Sequence, residues 1–311
     1  MKISEYKTKY LLYCRVEKEN CSDSVDSYER IFRKIVSLIG NISVFDINQD
    51  TILNLKERLM NEFLSDSYRS KTVSVIRNFL AYLSDFIGLD VYDYKKITIP
   101  RVKSKPVKTL STQEIDDIIE SMPDRTLKDK RLKGLSSILA DSGARISEIL
   151  NLKRDIDLKS GKTVVLGKGK KFRMIYWGGR TKKFIRDYLD ARPKWDKSPY
   201  LFGTVNNGNY GGKWDKGDVN RAFRRLSKKL NRRIHCHLFR SSFLTNCLHQ
   251  GLNLSAVSKA MGHSDIRTSM RYFSPMSDEN TENEFENFFS RKATVSAQAN
   301  IINENERRIM T

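Results

Sequence analysis

Apolar residues recur at three- and four-residue steps through most of the chain, and this pattern predicts helices. In residues 1–95 it predicts four of them. Three run around 3–18, 24–39 and 48–64, and a fourth carries Val73, Ile76, Phe79, Leu80, Leu83 and Phe86 as one apolar stripe. The opposite face of that fourth helix holds Ser67, Arg69, Ser70, Lys71, Ser74, Arg77 and Asn78. Residues 96–109 break the pattern, with two prolines, five Lys/Arg and no acid, which predicts an extended basic linker. Ser111 and Glu114 have the spacing of a capping box and start the next helix. Helices near 112–122 and 128–141 follow, and Gly143 is expected to break the second from its successor, where Ile146, Ile149, Leu150 and Leu152 supply the buried face. Between 154 and 178 the period changes to alternation, predicting three short strands that turn at Ser160-Gly161 and at Gly167-Lys168-Gly169. Helices near 181–191 and 216–230 flank a loop over 203–213 rich in glycine and asparagine.

Charge changes the picture. The chain of 311 residues has a formal net charge of +20, unevenly spread. Residues 1–95 hold 14 basic and 14 acidic residues, whereas residues 161–240 hold 22 and 5, a net of +17. A solvated surface mixes signs; a segment this one-sided attracts a polyanion, and nucleic acid is the ordinary one. No run of 18 apolar residues indicates a membrane span, and the N-terminus lacks the apolar region of a secretion signal. Cys14, Cys21, Cys236 and Cys247 show no C-x-x-C spacing and read as reduced thiols in a cytoplasmic protein. His235-Cys236-His237 invites a metal reading, but no second ligand cluster completes four ligands, so no metal is expected. Asp141 and Glu148, seven apart, would share a face of an unbroken helix; Gly143 between them argues against paired carboxylates holding magnesium.

The candidate chemistry lies in residues 235–273. His237 and Arg240 are one helical turn apart, Gly262-His263 closes a second apolar-periodic segment, and Tyr272 stands nine residues beyond that histidine. Upstream, G-A-R-I-S-E contains Arg145 and G-K-G-K-K-F-R contains Lys168. Each element alone is common. A lysine in a Gly-Lys-Gly turn is ordinary, and an isolated tyrosine is more often a core aromatic. In this order and spacing, over roughly residues 60–275, they resemble the tyrosine recombinase (phage integrase) family.

The resemblance implies a mainly α fold: an all-helical core-binding domain over 1–95, the linker, an α+β catalytic domain with a small antiparallel sheet over 110–290, and a C-terminal tail over 291–311. It implies a catalytic set of Arg145, Lys168, His237, Arg240, His263 and Tyr272, with Glu148 in support and Lys170 and Lys171 as neighbouring candidates for the lysine's role. Such a set suits cofactor-free DNA cleavage. A tyrosine hydroxyl, pKa about 10, needs an electropositive setting to attack a phosphate. Two guanidiniums can fork onto its non-bridging oxygens. The histidines would bond the same phosphate or handle a proton, and the lysine can protonate the leaving 5′ oxygen. Arg69, Lys71 and Arg77 on the fourth helix, Lys103 and Lys105 in the linker, and Lys170, Lys171 and Arg173 at the hairpin are the expected DNA contacts. Ser241 departs from the second histidine that many members carry after the H-x-x-R arginine, which bears on subfamily. A start directly at the core-binding helices leads to the expectation of a simple Xer-like or small mobile-element type. The expected partners are double-stranded DNA with inverted-repeat core sites and three further copies in a homotetramer, in the cytoplasm at the nucleoid. Residues 277–290, acidic and without a basic residue, carry Phe285, Phe288 and Phe289 at helical spacing and are expected to dock on a neighbouring protomer or to pack in their own domain. The rival readings are a type IB topoisomerase, which usually has lysine where His237 stands, and a non-catalytic DNA-binding protein on the same scaffold.

Overall fold

The computed structural model describes residues 1–62, 64–102, 107–167, 171–204 and 211–262. It divides into two compact units, Met1–Lys105 and Pro106–Thr311. The architecture is mainly helical with one small antiparallel sheet. No described helix is long and apolar enough to cross a membrane.

The N-terminal unit is built from α1 (Ile3–Val16), α2 (Ser22–Ile39), α3 (Gln49–Asn61) and α4 (Asp66–Ala81). Helix α1 stops before residue 18 because Lys18 N donates back to the Tyr13 carbonyl and Glu19 turns through a left-handed φ of 46°. Asn48 caps α3 by accepting from Thr51 N at 2.9 Å, and Ser65 caps α4 by accepting from Tyr68 N at 3.3 Å. Tyr10, Phe32 and Phe79 meet edge-on at 5.1–5.8 Å between ring centroids and lock three helices together. Val73, Ile76, Phe79, Leu80 and Leu83 are all buried, as the stripe requires. Phe86 is not: it is 57% exposed. The chain leaves α4 through a π turn over Tyr82–Phe86, with Ile87 N donating to the Tyr82 carbonyl, and the extra residue swings Phe86 off the stripe onto Tyr13 and Tyr82.

In the C-terminal unit α5 (Thr112–Glu120) opens with the Ser111–Glu114 box, both reciprocal bonds being made. Helix α6 (Leu127–Ser142) is the central rod. It packs on α8 (Gly179–Asp190) and α10 (Cys236–His249), and Gly134, Ser136 and Ser137 keep it slim enough for that. A Cβ on Gly134 would already touch the Phe184 carbonyl at 3.4 Å. Strands β1 (Lys162–Leu166) and β2 (Phe172–Tyr176) pair antiparallel, with Val164 opposite Met174. The third strand expected from alternation over 154–160 does not form. There Asp157 accepts from Lys159 N, Ser160 donates to the Asp157 carbonyl, and Arg154 N bonds the Pro199 carbonyl. The segment's hydrogen bonds go to a turn and a loop, leaving no free edge for a ladder. Helices α9 (Lys216–Lys229) and α11 (Leu254–Met261) complete the described part.

Candidate active site

Three chain segments converge on one cleft in the C-terminal unit. Helix α6 ends at Gly143, whose left-handed φ of 57° turns the chain sharply; a Cβ there would lie 2.8 Å from the Met261 sulfur. The turn delivers Arg145 to the start of α7 (Ile146–Leu150). Glu148, one turn on, reaches back to accept from Arg145 N at 2.7 Å and from its Nη1 at 3.1 Å. Arg145 also donates to the Gly262 carbonyl at 3.0 Å and keeps 29% of its side chain open to solvent.

The second segment is α10. His235 caps it, its Nδ1 accepting from Leu238 N at 3.1 Å, which places the ring proton of the neutral imidazole on Nε2. Arg240 is buried and donates to the carbonyls of Gly143, at 2.6 Å, and Met261, at 2.8 Å. His237, on the same face one turn earlier, is exposed. Although the ring reaches solvent, the protein crowded around it still partly desolvates it and lowers its pKa, and the charges of Arg240 and Arg145 push it further in the same direction. Ser241 turns its hydroxyl back to the carbonyls of His237 and Leu238, so the departure at this position is absorbed by the helix itself.

Arg145, His237 and Arg240 line a common cleft of about 390 Å³ with Lys216, Asn220 and His235. Sequence alone singled out neither Lys216 nor Asn220, and raised His235 only as a metal ligand that it then rejected. His235 stands where serine, threonine or aspartate is the usual cap, a local signal, but the arrival of Lys216 and Asn220 from α9 is tertiary. The arrangement presents two guanidiniums and an imidazole donor to one concave site, the set a tetrahedral oxyanion requires.

The carboxylates separate as Gly143 implies. Asp141 accepts from Gly178 N and Thr181 Oγ1, both at 2.8 Å, whereas Glu148 serves the arginines. Among the described residues no group of histidine, cysteine and carboxylate side chains could hold a metal. Burial alone would raise Glu148; the hydrogen bonds from Arg173 and the Arg145 backbone, with both guanidinium charges, outweigh it and hold the carboxyl below its ordinary range.

Of the expected DNA contacts, Lys71 and Lys171 are exposed, and Arg69 and Arg77 are half-buried. Arg69 pairs with Asp66, and Lys71 Nζ donates to Ser27 Oγ at 2.8 Å, both partners that a phosphate could displace. Arg173 is placed differently. Only 8% of its side chain is exposed, and it is bound to Glu148 at 2.6 Å and to the Ala260 carbonyl, so it cannot reach a phosphate without leaving a buried carboxylate. Alternation along β2 carried that signal, since Arg173 shares the inward face with the buried Ile175. Lys103, Lys105, Lys168, Lys170, His263, Tyr272 and the acidic segment 277–290 lie outside the described residues.

Residues 108–278 match the model of the phage integrase family. The chain is 26% identical over 272 residues to tyrosine recombinase XerD of Halalkalibacterium halodurans, covering 85% of this chain and 90% of that one. It is 28% identical over 233 residues to tyrosine recombinase XerC of Lactobacillus delbrueckii subsp. bulgaricus, covering 74% and 79%. Its fold matches the Tn1549 transposon integrase in complex with a circular intermediate DNA, with a TM-score of 0.73 at 16% identity over 93% of this chain and 99% of that one. It also matches XerH recombinase in a post-cleavage complex with a palindromic difH substrate, with a TM-score of 0.70 at 19% identity over 90% and 84%.

Proposed function

The chain belongs to the phage integrase family, and from that premise we propose how it works. It is a tyrosine site-specific DNA recombinase. The observation that carries the residue assignment is the meeting of Arg145, His237 and Arg240 in one cleft, with Arg240 anchored from behind by two carbonyls. The scissile phosphate of duplex DNA enters that cleft. Arg145 and Arg240 donate to its non-bridging oxygens and stabilise the charge that grows as phosphorus becomes five-coordinate. The Tyr272 hydroxyl attacks phosphorus, giving up its proton, and the bond to the 5′ oxygen breaks as Lys168 protonates that oxygen. The products are a 3′-phosphotyrosyl ester and a free 5′ hydroxyl. Attack by the 5′ hydroxyl of another strand reverses the step and rejoins DNA; bond energy is kept in the ester, so ATP has no role in the cycle. His237 and His263 donate to the phosphate, and the lowered pKa of His237 suits a neutral donor that also relays a proton.

The N-terminal unit grips the duplex through the Arg69–Arg77 face, and the linker lysines Lys103 and Lys105 follow the DNA backbone. Four copies act together on paired inverted-repeat core sites, and residues 277–290 join neighbouring protomers. The setting is that of a simple recombinase of Xer-like or small mobile-element type, acting in the cytoplasm on the nucleoid.

Two substrates separate this reading from topoisomerase chemistry. Duplexes carrying the inverted repeats that flank the coding region are expected to become covalently attached and to exchange strands, while a supercoiled plasmid without them stays supercoiled. Efficient relaxation of that plasmid by monomers would replace the recombinase reading.

A further inference from the structure

Three arginines from three different elements donate to three consecutive carbonyls at the end of α11. Arg173 of β2 bonds Ala260, Arg240 of α10 bonds Met261, and Arg145 bonds Gly262. Two of them face the cleft. The third, Arg173, faces Glu148, with Nη2 to Oε2 at 2.6 Å and Nε to Oε1 at 3.5 Å. Each Glu148 oxygen thus receives one bond from Arg145 and one from Arg173. The carboxylate is only 2% exposed, so water cannot replace either partner. Gly262 completes the contact, since a Cβ there would lie 2.8 Å from Arg173 Cδ.

We propose that Arg173 is a positioning residue that sets the direction of the Arg145 guanidinium through Glu148, and so couples the β1–β2 hairpin to the phosphate clamp. The inference rests on the reading of Arg145 as a phosphate-binding group. With Arg173 in place, Glu148 shares its two oxygens between two guanidiniums and fixes the Arg145 fork by one edge. Without it, the carboxylate has Arg145 as its one cationic partner among the described residues and draws that guanidinium inward, away from the phosphate oxygens. Arg173 lies on β2 of the β1–β2 pair, so hairpin position and clamp geometry are linked through one side chain. A surface phosphate contact does not explain the arrangement, because Arg173 has 8% of its side chain exposed against 29% for Arg145.

The test is a double-mutant cycle in single-turnover cleavage of a nicked suicide duplex at saturating DNA, with half-site binding measured in parallel. Arg173→Met is expected to slow cleavage about 100-fold, the cost of misplacing a reacting group's partner by about 1 Å. Half-site affinity and its salt slope should stay as in the parent. Arg173→Lys, which keeps charge against Glu148 without the fork, is expected to fall between the two and serves if the methionine variant does not fold. In an Arg145→Lys background either substitution should add little, because the group being positioned is already altered. Cleavage by Arg173→Met should also fail at a higher pH on the acid side than cleavage by Arg173→Lys, since Glu148 has lost a charged donor. Equal losses in both backgrounds, or a shallower salt slope with an undiminished saturating rate, would overturn the positioning role. Wild-type cleavage by Arg145→Lys alone would instead remove the clamp reading on which it rests.

Discussion

Replacing Arg240 by methionine separates the two duties the structure gives this side chain. The residue is 5% exposed, and its guanidinium holds the Gly143 and Met261 carbonyls at 2.6 and 2.8 Å. Hydrogen bonds to a charged group contribute about 1.5–3 kcal/mol each, and a stranded buried carbonyl costs about 1–3 kcal/mol. Against that, the buried charge no longer needs desolvation, and methionine fills most of the volume. A net loss of about 2 kcal/mol is the expected outcome, which in a unit of this size lowers the melting temperature by about 4–8 °C. The chemical step should suffer more. Losing one preorganised donor to a developing oxyanion costs about 100- to 1,000-fold, and a forked guanidinium offers two. Thermal unfolding followed by circular dichroism, together with single-turnover cleavage well below the new melting temperature, reads both quantities. Cleavage that survives while stability falls would make Arg240 a purely structural clamp. Cleavage that collapses with no loss of stability would mean that the two carbonyl bonds carry no weight.

Lys168→Ala should be rescued by a substrate whose 5′-bridging oxygen is replaced by sulfur, because that group leaves without an acid; Arg145→Ala should not be rescued, and equal behaviour of the two would remove the general-acid role. His235 caps α10 through an unprotonated Nδ1, and burial, with the charges of Arg233 and His237, lowers its pKa. Its folded pKa lies below the unfolded one, so the stability it contributes is present above the ordinary histidine range and is lost as pH falls through the folded value. Melting temperature should therefore drop below about pH 6.5, and His235→Asn, which caps without titrating, should flatten the drop. Replacing Lys103 and Lys105 by alanine should make the log–log salt dependence of DNA binding shallower by about 0.9 for each phosphate no longer neutralised, without altering sequence preference; an unchanged slope would place the linker away from the duplex.

Apolar periodicity was enough for the helical architecture, a glycine for the break at position 143 and capping-box spacing for the Ser111–Glu114 cap, because each depends on residues within about one turn of one another. The reading failed where local and distant demands differ. Phe86 continues the stripe of α4 in sequence, but a π turn, invisible to a 3.6-residue count, moves it outward. Residues 154–160 alternate like a strand, yet Asp157 and Ser160 close a turn and Arg154 is claimed by the 196–200 loop. Arg145, His237 and Arg240 were legible as a set through the family resemblance that their order with Lys168, His263 and Tyr272 carries, and the structure brings these three to one cleft. The inward place of Arg173 was legible from its alternation with Ile175. Its pairing with Glu148, 25 residues away in sequence, was not, because it depends on how the hairpin packs against α7. Lys216 and Asn220 reach the cleft from α9 by packing alone, and no short-range pattern marks them.

The central claim is that Tyr272 becomes joined to DNA. A nicked suicide duplex carrying the inverted repeat, labelled on the 5′ side of the scissile phosphate so that the label stays with the 3′-phosphotyrosyl end, would be incubated with the wild-type chain and with Tyr272→Phe, and the products resolved on a denaturing gel. The wild type is expected to give a labelled protein–DNA adduct whose proteolysis leaves a peptide containing Tyr272 on the 3′ phosphate. Tyr272→Phe should bind the same half-site with unchanged affinity, since one hydroxyl is lost, and give no adduct. A covalent adduct formed by Tyr272→Phe, or a labelled peptide that lacks residue 272, would contradict the assignment of the nucleophile.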